Sequence, residues 1–365
     1  MAEASTAFAA VSTFFASAET FAAWAFRALD GPRFGAFFGA LIACMLLHPA
    51  TVFFFLYYCG VLGFIEWYFY RRIAKLSDQI NLILHSPDLQ KLEGAWRGLH
   101  YLVNNTETDE QLKIRVMNIS KQDLGKTLKR YKGTAWDQSP LFKRMYEEEF
   151  GQFGGEPFGC LVGDYHFDQS APDVELLGEM AKIAAAAHAP FIAGASPNVM
   201  QMDSWQELAN PRDLTKIFST PEYAAWRSLR ESDDARYIGL AMPRFLSRIP
   251  YGARTNPVEA FNFEEDTGAA DHGKYTWANA AYAMAVNINR SFKEYGWCSR
   301  IRGIESGGAV TNLPTHSFPT DDGGVDMKCP TEIAISDRRE AELSKNGFLA
   351  MIHRKNSDFA AFIGE

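Results

Sequence analysis

Thirty-two consecutive residues, Phe34 to Ile65, contain no Asp, Glu, Lys or Arg. About 20 apolar residues carry one helix across a bilayer core, so this run has room for one tilted span and not for two. His48-Pro49 divides it into FGAFFGALIACMLL and ATVFFFLYYCGVLGFI, and 13 of the 28 Phe lie in the first 70 residues. From Arg71 onward the charges return at ordinary globular density. The two parts call for different solvents, and that boundary limits the folds open to the chain.

Three readings fit the apolar part. In the first, residues 34–70 are a membrane anchor or hairpin, with Trp67, Tyr68 and Tyr70 at the interface. Arg71, Arg72 and Lys75 follow on what would be the cytosolic side. The second is a buried helical hairpin, which needs a large partner core for so many Phe and Tyr. The third is a segment foreign to the rest of the chain, joined by a frame change or rearrangement. A secretory signal does not fit, because the run starts late, follows acidic residues and is too long.

The net charge of −8 argues against a nucleic-acid binder, which would carry a basic surface. Cys44, Cys59, Cys160, Cys298 and Cys329 are scattered, odd in number and free of CxxC spacing. A disulfide framework or zinc site is not expected, and a reducing compartment fits.

In the body, Ile73, Leu76, Ile80 and Ile83 step by three and four, which predicts an amphipathic helix. Ser86-Pro87 caps a second helix, with Leu89, Leu92, Trp96, Leu99 and Val103 expected on a core-facing stripe. Leu112, Ile114 and Val116 alternate with Lys113 and Arg115, the pattern of a half-buried strand. Helices are expected over Gln122–Tyr131, from Ser139-Pro140 through Phe150, over Pro172–Ala187, and from Trp277 to Phe292. Strands are expected at Phe158–Val162, Phe191–Ala195 and Tyr237–Met242, and Gly303–Asp326 reads as a long exposed loop. Strands alternating with helices predict a mixed α/β fold, helices around a mainly parallel sheet.

A search for chemistry finds little. Asp164, His166 and Asp168 share one side of a strand, but no second histidine stands near them and HExxH spacing is absent. A hydrogen-bonding role fits them better than a metal. His188 reads as a helix C-terminal residue, and Cys160 as a buried, inert thiol. No phosphate loop or nucleophile elbow occurs, and Asp321-Asp322-Gly323-Gly324 with Asp326 lacks calcium-loop spacing. The chain is expected to have no catalytic, cofactor-binding or metal residues, and not to be an enzyme. Two groups of mixed charge remain. One is Arg227, Arg230, Glu231, Asp233, Asp234 and Arg236, the other Arg244, Arg248 and Arg254. They read either as a solvated face or, through Arg227, Arg230, Glu231, Arg244, Arg248 and Arg254, as a subunit contact in which charge sets register.

Four blocks carry a resemblance. They are LEGAWRGLHYLVNNTETDE (Leu92–Glu110), KGTAWDQSPLFKRMYEEEFGQFGGEPFGCLVGDY (Lys132–Tyr165), much of Asp173 to Glu265, beginning DVELLGEMAKIAAAAHAPFIAGASPNVM, and NGFLAMIHRKNSDFAAFIG (Asn346–Gly364). Together they resemble the large subunit of the type VI secretion contractile sheath, the TssC/VipB family, from about Ile73 to the end. The resemblance implies a cytoplasmic structural protein that pairs with a small sheath subunit of TssB/VipA type. With other copies of itself it would form a tube around an Hcp inner tube, contract to drive secretion, and be recycled by an AAA+ ATPase. It divides the chain into a non-family segment 1–70, an N-terminal part of the body 71–150, and an α/β body 151–365 that stops before an inner domain. Two departures, the N-terminal segment and the stop at Glu365, open other readings. One is a membrane-tethered docking module, and the other a sheath-like fragment that builds no working sheath. Stoichiometric pairing with the small subunit would refute the second.

Overall fold

The five residues FIAGA, Phe191–Ala195, show how the body is built. Phe191, Ala193 and Ala195 are buried in one apolar core and Ile192 in another. Alternate residues of a strand point to opposite faces, so this strand must lie inside a sheet covered on both sides. The computed structural model describes residues 49–365 except 211–213, 269–270, 321, 355–356 and 365, with backbone alone for 49–56 and 59. The chain divides into two units, residues 1–76 and 77–365.

In the first unit the described part is the leading portion of helix α1 (Pro49–Leu84). Tyr57, Phe64, Trp67 and Tyr70 are exposed along it. The Arg71 guanidinium lies 4.6 Å over the Trp67 ring and that of Arg72 5.3 Å over Tyr68. The expected anchor over 34–70 falls partly outside the described residues. Among those described, no helix is long and apolar enough to cross a membrane.

The second unit carries the sheet. Its longer helices are α2 (Pro87–Asn104), α3 (Lys121–Arg130), α4 (Ala171–Ala186), α5 (Ala224–Glu231), α6 (Ala280–Tyr295) and α7 (Asp337–Lys345). Short polar residues start several of them. The Ser86 hydroxyl accepts from Leu89 N, Ser120 from Asp123 N, and the Asn279 side chain from Ala281 N. Gly296, at φ 68°, closes α6 in the left-handed conformation that glycine adopts without strain.

The strands are β1 (Leu161–Phe167), β2 (Phe191–Ala195), β3 (Ile238–Met242), β4 (Phe245–Leu246), β5 (Trp277–Ala278), β6 (Ala309–Val310), β7 (His316–Pro319), β8 (Val325–Lys328), β9 (Phe348–His353) and β10 (Ala360–Phe362). The main sheet runs β1-β2-β3-β9-β10-β6. The first four strands are parallel, and β10 pairs antiparallel with both β9 and β6. Helix α4 links β1 to β2 and lies in the core under Phe191 and Leu240. Helix α6 covers the other face, packing with Ile192, Ala241 and Met351. The fold is mixed α/β with a mostly parallel sheet, as the alternation of elements predicts.

Several local expectations shift or fail. Leu112–Val116 forms no strand; the segment is extended, but no neighbouring strand offers it main-chain partners. The first strand starts at Leu161 and continues through Gly163-Asp164-Tyr165 to Phe167. After Ser139-Pro140 only one short turn is α-helical, followed by a wider turn over Lys143–Glu147 on which Phe142, Tyr146 and Phe150 stack at 4.9 and 5.3 Å. Gly303–Asp326 is no free loop. It supplies β6 and the hairpin strand β7, and Val310, Leu313 and His316 in it are buried.

Candidate functional site

Strand β1 pairs with β2 on one side, and among the described residues its other edge has no strand partner. Beside that edge lies a groove of about 690 Å³. The extended segment Glu110–Ile119 forms one wall and Glu156–Tyr165 the other, while Leu99 and Leu102 of α2 and Tyr282, Ala285 and Ile288 of α6 line its depth. Side chains bridge the two walls. Lys113 pairs with Glu156, Arg115 with Glu149 and Glu156, and the Tyr165 hydroxyl donates to Ile119 O at 2.8 Å. The pairing of β1 with β2 shifts between Gly163 and His166, a bulge that distorts the free edge. An unpaired edge next to an unpaired extended segment leaves main-chain donors and acceptors that a strand from another chain can satisfy.

Helix α2 borders this groove, and three of the five residues of its expected core stripe face outward instead. Gly94, Gly98 and Leu102 are buried, whereas Leu92, Trp96 and Val103 are 55%, 66% and 45% exposed. The cause is close approach. A Cβ on Gly94 would sit 2.4 Å from Trp277 O, and one on Gly98 would sit 2.4 Å from the Tyr282 ring. Leu92, Trp96 and Val103 of the stripe expected in the core therefore form an exposed apolar face, of the kind that marks interaction surfaces, while Leu89 and Leu99 are half-buried.

The charged candidates separate by environment. Arg227 donates to the carbonyls of Phe218 and Thr220 at 2.7 and 2.8 Å, and Arg230 to Lys345 O at 3.0 Å. Arg244 pairs with the buried Glu332 at 2.6 Å, and His272 Nε2 lies 3.1 Å from the same carboxylate. Burial opposes ionisation of Glu332, but His272 and Arg244 outweigh it and hold its pKa down at about 2. Arg248 is buried, with Nε 2.7 Å from Glu93 and a two-bonded contact to Glu265 at 2.5 and 3.0 Å. Burial would lower its pKa, yet the two carboxylates raise it further. Burial likewise works against the Glu93 charge, and Arg248 with Arg97 still keeps it below the usual range. Glu231 and Arg254 are exposed. The structure thus brings Arg248 together with Glu93 and Glu265, and Arg244 with Glu332. Those acids carried no sequence signal, because Glu93 meets Arg248 across 155 positions of chain.

The Asp164, His166 and Asp168 group frames the turn into α4. Asn279 Nδ2 donates to Asp164 Oδ1 at 3.3 Å and to Tyr165 O at 3.2 Å. Asp168 accepts from Ser170 N at 2.9 Å, and Lys121 joins His166 O to Asp173. Among the described residues, no group of three or more His, Cys, Asp or Glu side chains converges on a metal site.

Residues 72–365 match the family model for VipB, described as EvpB/VC_A0108, tail sheath N-terminal domain. Over 291 residues the chain is 78% identical to the type VI secretion system sheath protein TssC1 of Pseudomonas aeruginosa. That alignment covers 80% of this chain and 58% of the relative, so the chain spans somewhat more than half the relative's length.

Proposed function

The chain belongs to the VipB family of tail sheath proteins, and we propose that it is a structural subunit of a type VI secretion contractile sheath, acting by assembly rather than catalysis. In this reading it pairs with a small sheath subunit and with copies of itself to form a tube in the cytoplasm. The tube surrounds an Hcp inner tube, drives secretion by contracting, and is recycled by an AAA+ ATPase. The observation that carries the proposal is the 78% identity across the α/β body. Two surface features support it. The β1 edge suits strand addition, and the Leu92, Trp96 and Val103 face suits a neighbouring subunit.

The charged residues take two parts in this proposal. Arg227, Arg244 and Arg248, spent on internal partners, hold the frame. Arg230, Glu231 and Arg254, which are exposed, set register between subunits. The family match favours this reading over a membrane-tethered docking module.

Co-expression of the 365-residue chain with a small sheath subunit, followed by affinity capture and native mass measurement, tests the proposal. A heterodimer of fixed stoichiometry is expected. Capture of this chain with the small subunit left in the flow-through would overturn pairing through this body.

A further inference from the structure

Outside these surfaces, one pair of side chains has an arrangement suited to covalent chemistry. Strand β9 ends at His353, and the chain leaving β8 places Cys329 beside it, with Sγ 3.5 Å from His353 Nδ1. The other ring nitrogen, Nε2, lies 2.8 Å from the carbonyl oxygen of Ser357. A carbonyl can only accept, so Nε2 carries a proton and the neutral ring turns the Nδ1 lone pair towards the sulfur. Thr331 Oγ1 lies 3.2 Å from Sγ and donates its own proton to Ile333 O at 2.9 Å. A nucleophile in reach of a base that a third group orients is the general arrangement of an activated thiol.

We propose that Cys329 is a reactive thiol, activated by His353, that hydrogen peroxide oxidises to a sulfenic acid. The Cys329 proton passes to His353 Nδ1. The thiolate then attacks one peroxide oxygen, the S–O bond forms as the O–O bond breaks, and the leaving hydroxide takes the proton back from the imidazolium as water. Sulfur is oxidised and the peroxide is reduced, so no further reactant is needed.

The surroundings are consistent with this chemistry. Cys329 is half-buried rather than sealed in the core, and it follows a hairpin strand whose Val325 and Asp326 are exposed. Although burial works to raise its pKa, His353 and the main-chain N–H of Thr331 bring the thiol below the ordinary range, while Cys329 keeps His353 above its own. The Lys328 ammonium, adjacent in sequence, also feels the charge of this sulfur. The remaining described cysteines differ. Burial pushes Cys160 up to about 12 and raises Cys298 as well.

Timed iodoacetamide labelling of the full chain between pH 5.5 and 9, read cysteine by cysteine by mass spectrometry, tests the activation. Cys329 is expected to label at pH 7 at least ~10-fold faster than exposed Cys298, with a midpoint below the ~8.5 of a free thiol. A Cys329 profile that rises only around or above that midpoint would overturn the proposal. In H353Q the rate at pH 7 should fall about 10-fold while Cys298 is unchanged, and an unaltered Cys329 rate would count against His353 as the activator. Should that variant fail to show a wild-type thermal melt, the wild-type pH profile decides alone. After brief hydrogen peroxide treatment, dimedone should trap a sulfenic acid at Cys329 ahead of Cys298; equal trapping at both would refute selective oxidation.

Discussion

Helices α4 and α2 are of similar length and both lie against the body, yet they meet it differently. On α4 the large side chains go inward, with Leu176, Leu177, Met180 and Ile183 all in the core beneath the sheet. On α2 two glycines, Gly94 and Gly98, go inward with Leu102, and Trp96 is left in solvent. The difference lies in the surface each helix meets. Helix α4 lies on a pleated sheet whose Phe191 and Ala193 leave gaps for branched side chains to fill. Helix α2 meets backbone at Trp277 and an aromatic face at Tyr282, where only a residue without a Cβ leaves room. Apolar periodicity locates a helix stripe, but it does not say whether the partner of that stripe lies within the same chain.

The comparison can be broken from either side. Leu177 is fully buried, and Leu177→Ala should cost about 2–5 kcal/mol in urea unfolding, since the sheet above it cannot collapse into the void. A loss under about 1 kcal/mol would mean that α4 is not packed as described. On α2 the sign of the volume change reverses. Gly94→Ala adds a single carbon where Trp277 O stands 2.4 Å away, and should cost about 1–3 kcal/mol by the same assay. Neutral behaviour there would show that α2 can lift off the body. Least affected should be Trp96→Ser, which alters the exposed face and should leave unfolding of the free chain within about 0.5 kcal/mol. A large loss at Trp96 would place that side chain in an internal core after all.

The strands and helices flanking the central sheet were legible because their signals are local. FIAGA is short, apolar and bounded by Pro190 and Ser196-Pro197, and it is β2. Helix α4 starts at Ala171, one residue from its expected start, where Pro172 fits the first turn. Helix α6 begins three residues later than expected because Asn279, not the apolar Trp277, supplies the cap. Strand β9 has no alternation to mark it although it lies between β3 and β10, since Phe348–Ile352 is an unbroken apolar run that follows helix α7 after only Asn346-Gly347. The Leu112–Val116 alternation misled for the opposite reason: a strand pattern needs a neighbour to bond to, and β1 stands across a groove.

Sequence alone established the α/β class, the helix start set by Ser86, and the kinship with sheath proteins. Each rests on neighbouring residues or on identity position by position. Tertiary structure alone decided that Trp96 faces outward, that Arg248 lies between Glu93 and Glu265, and that Cys329 meets His353. Those facts depend on side chains that the fold brings together from positions 24 to 155 residues apart in the Cys329 and Glu93 pairs, and no local pattern records such a meeting.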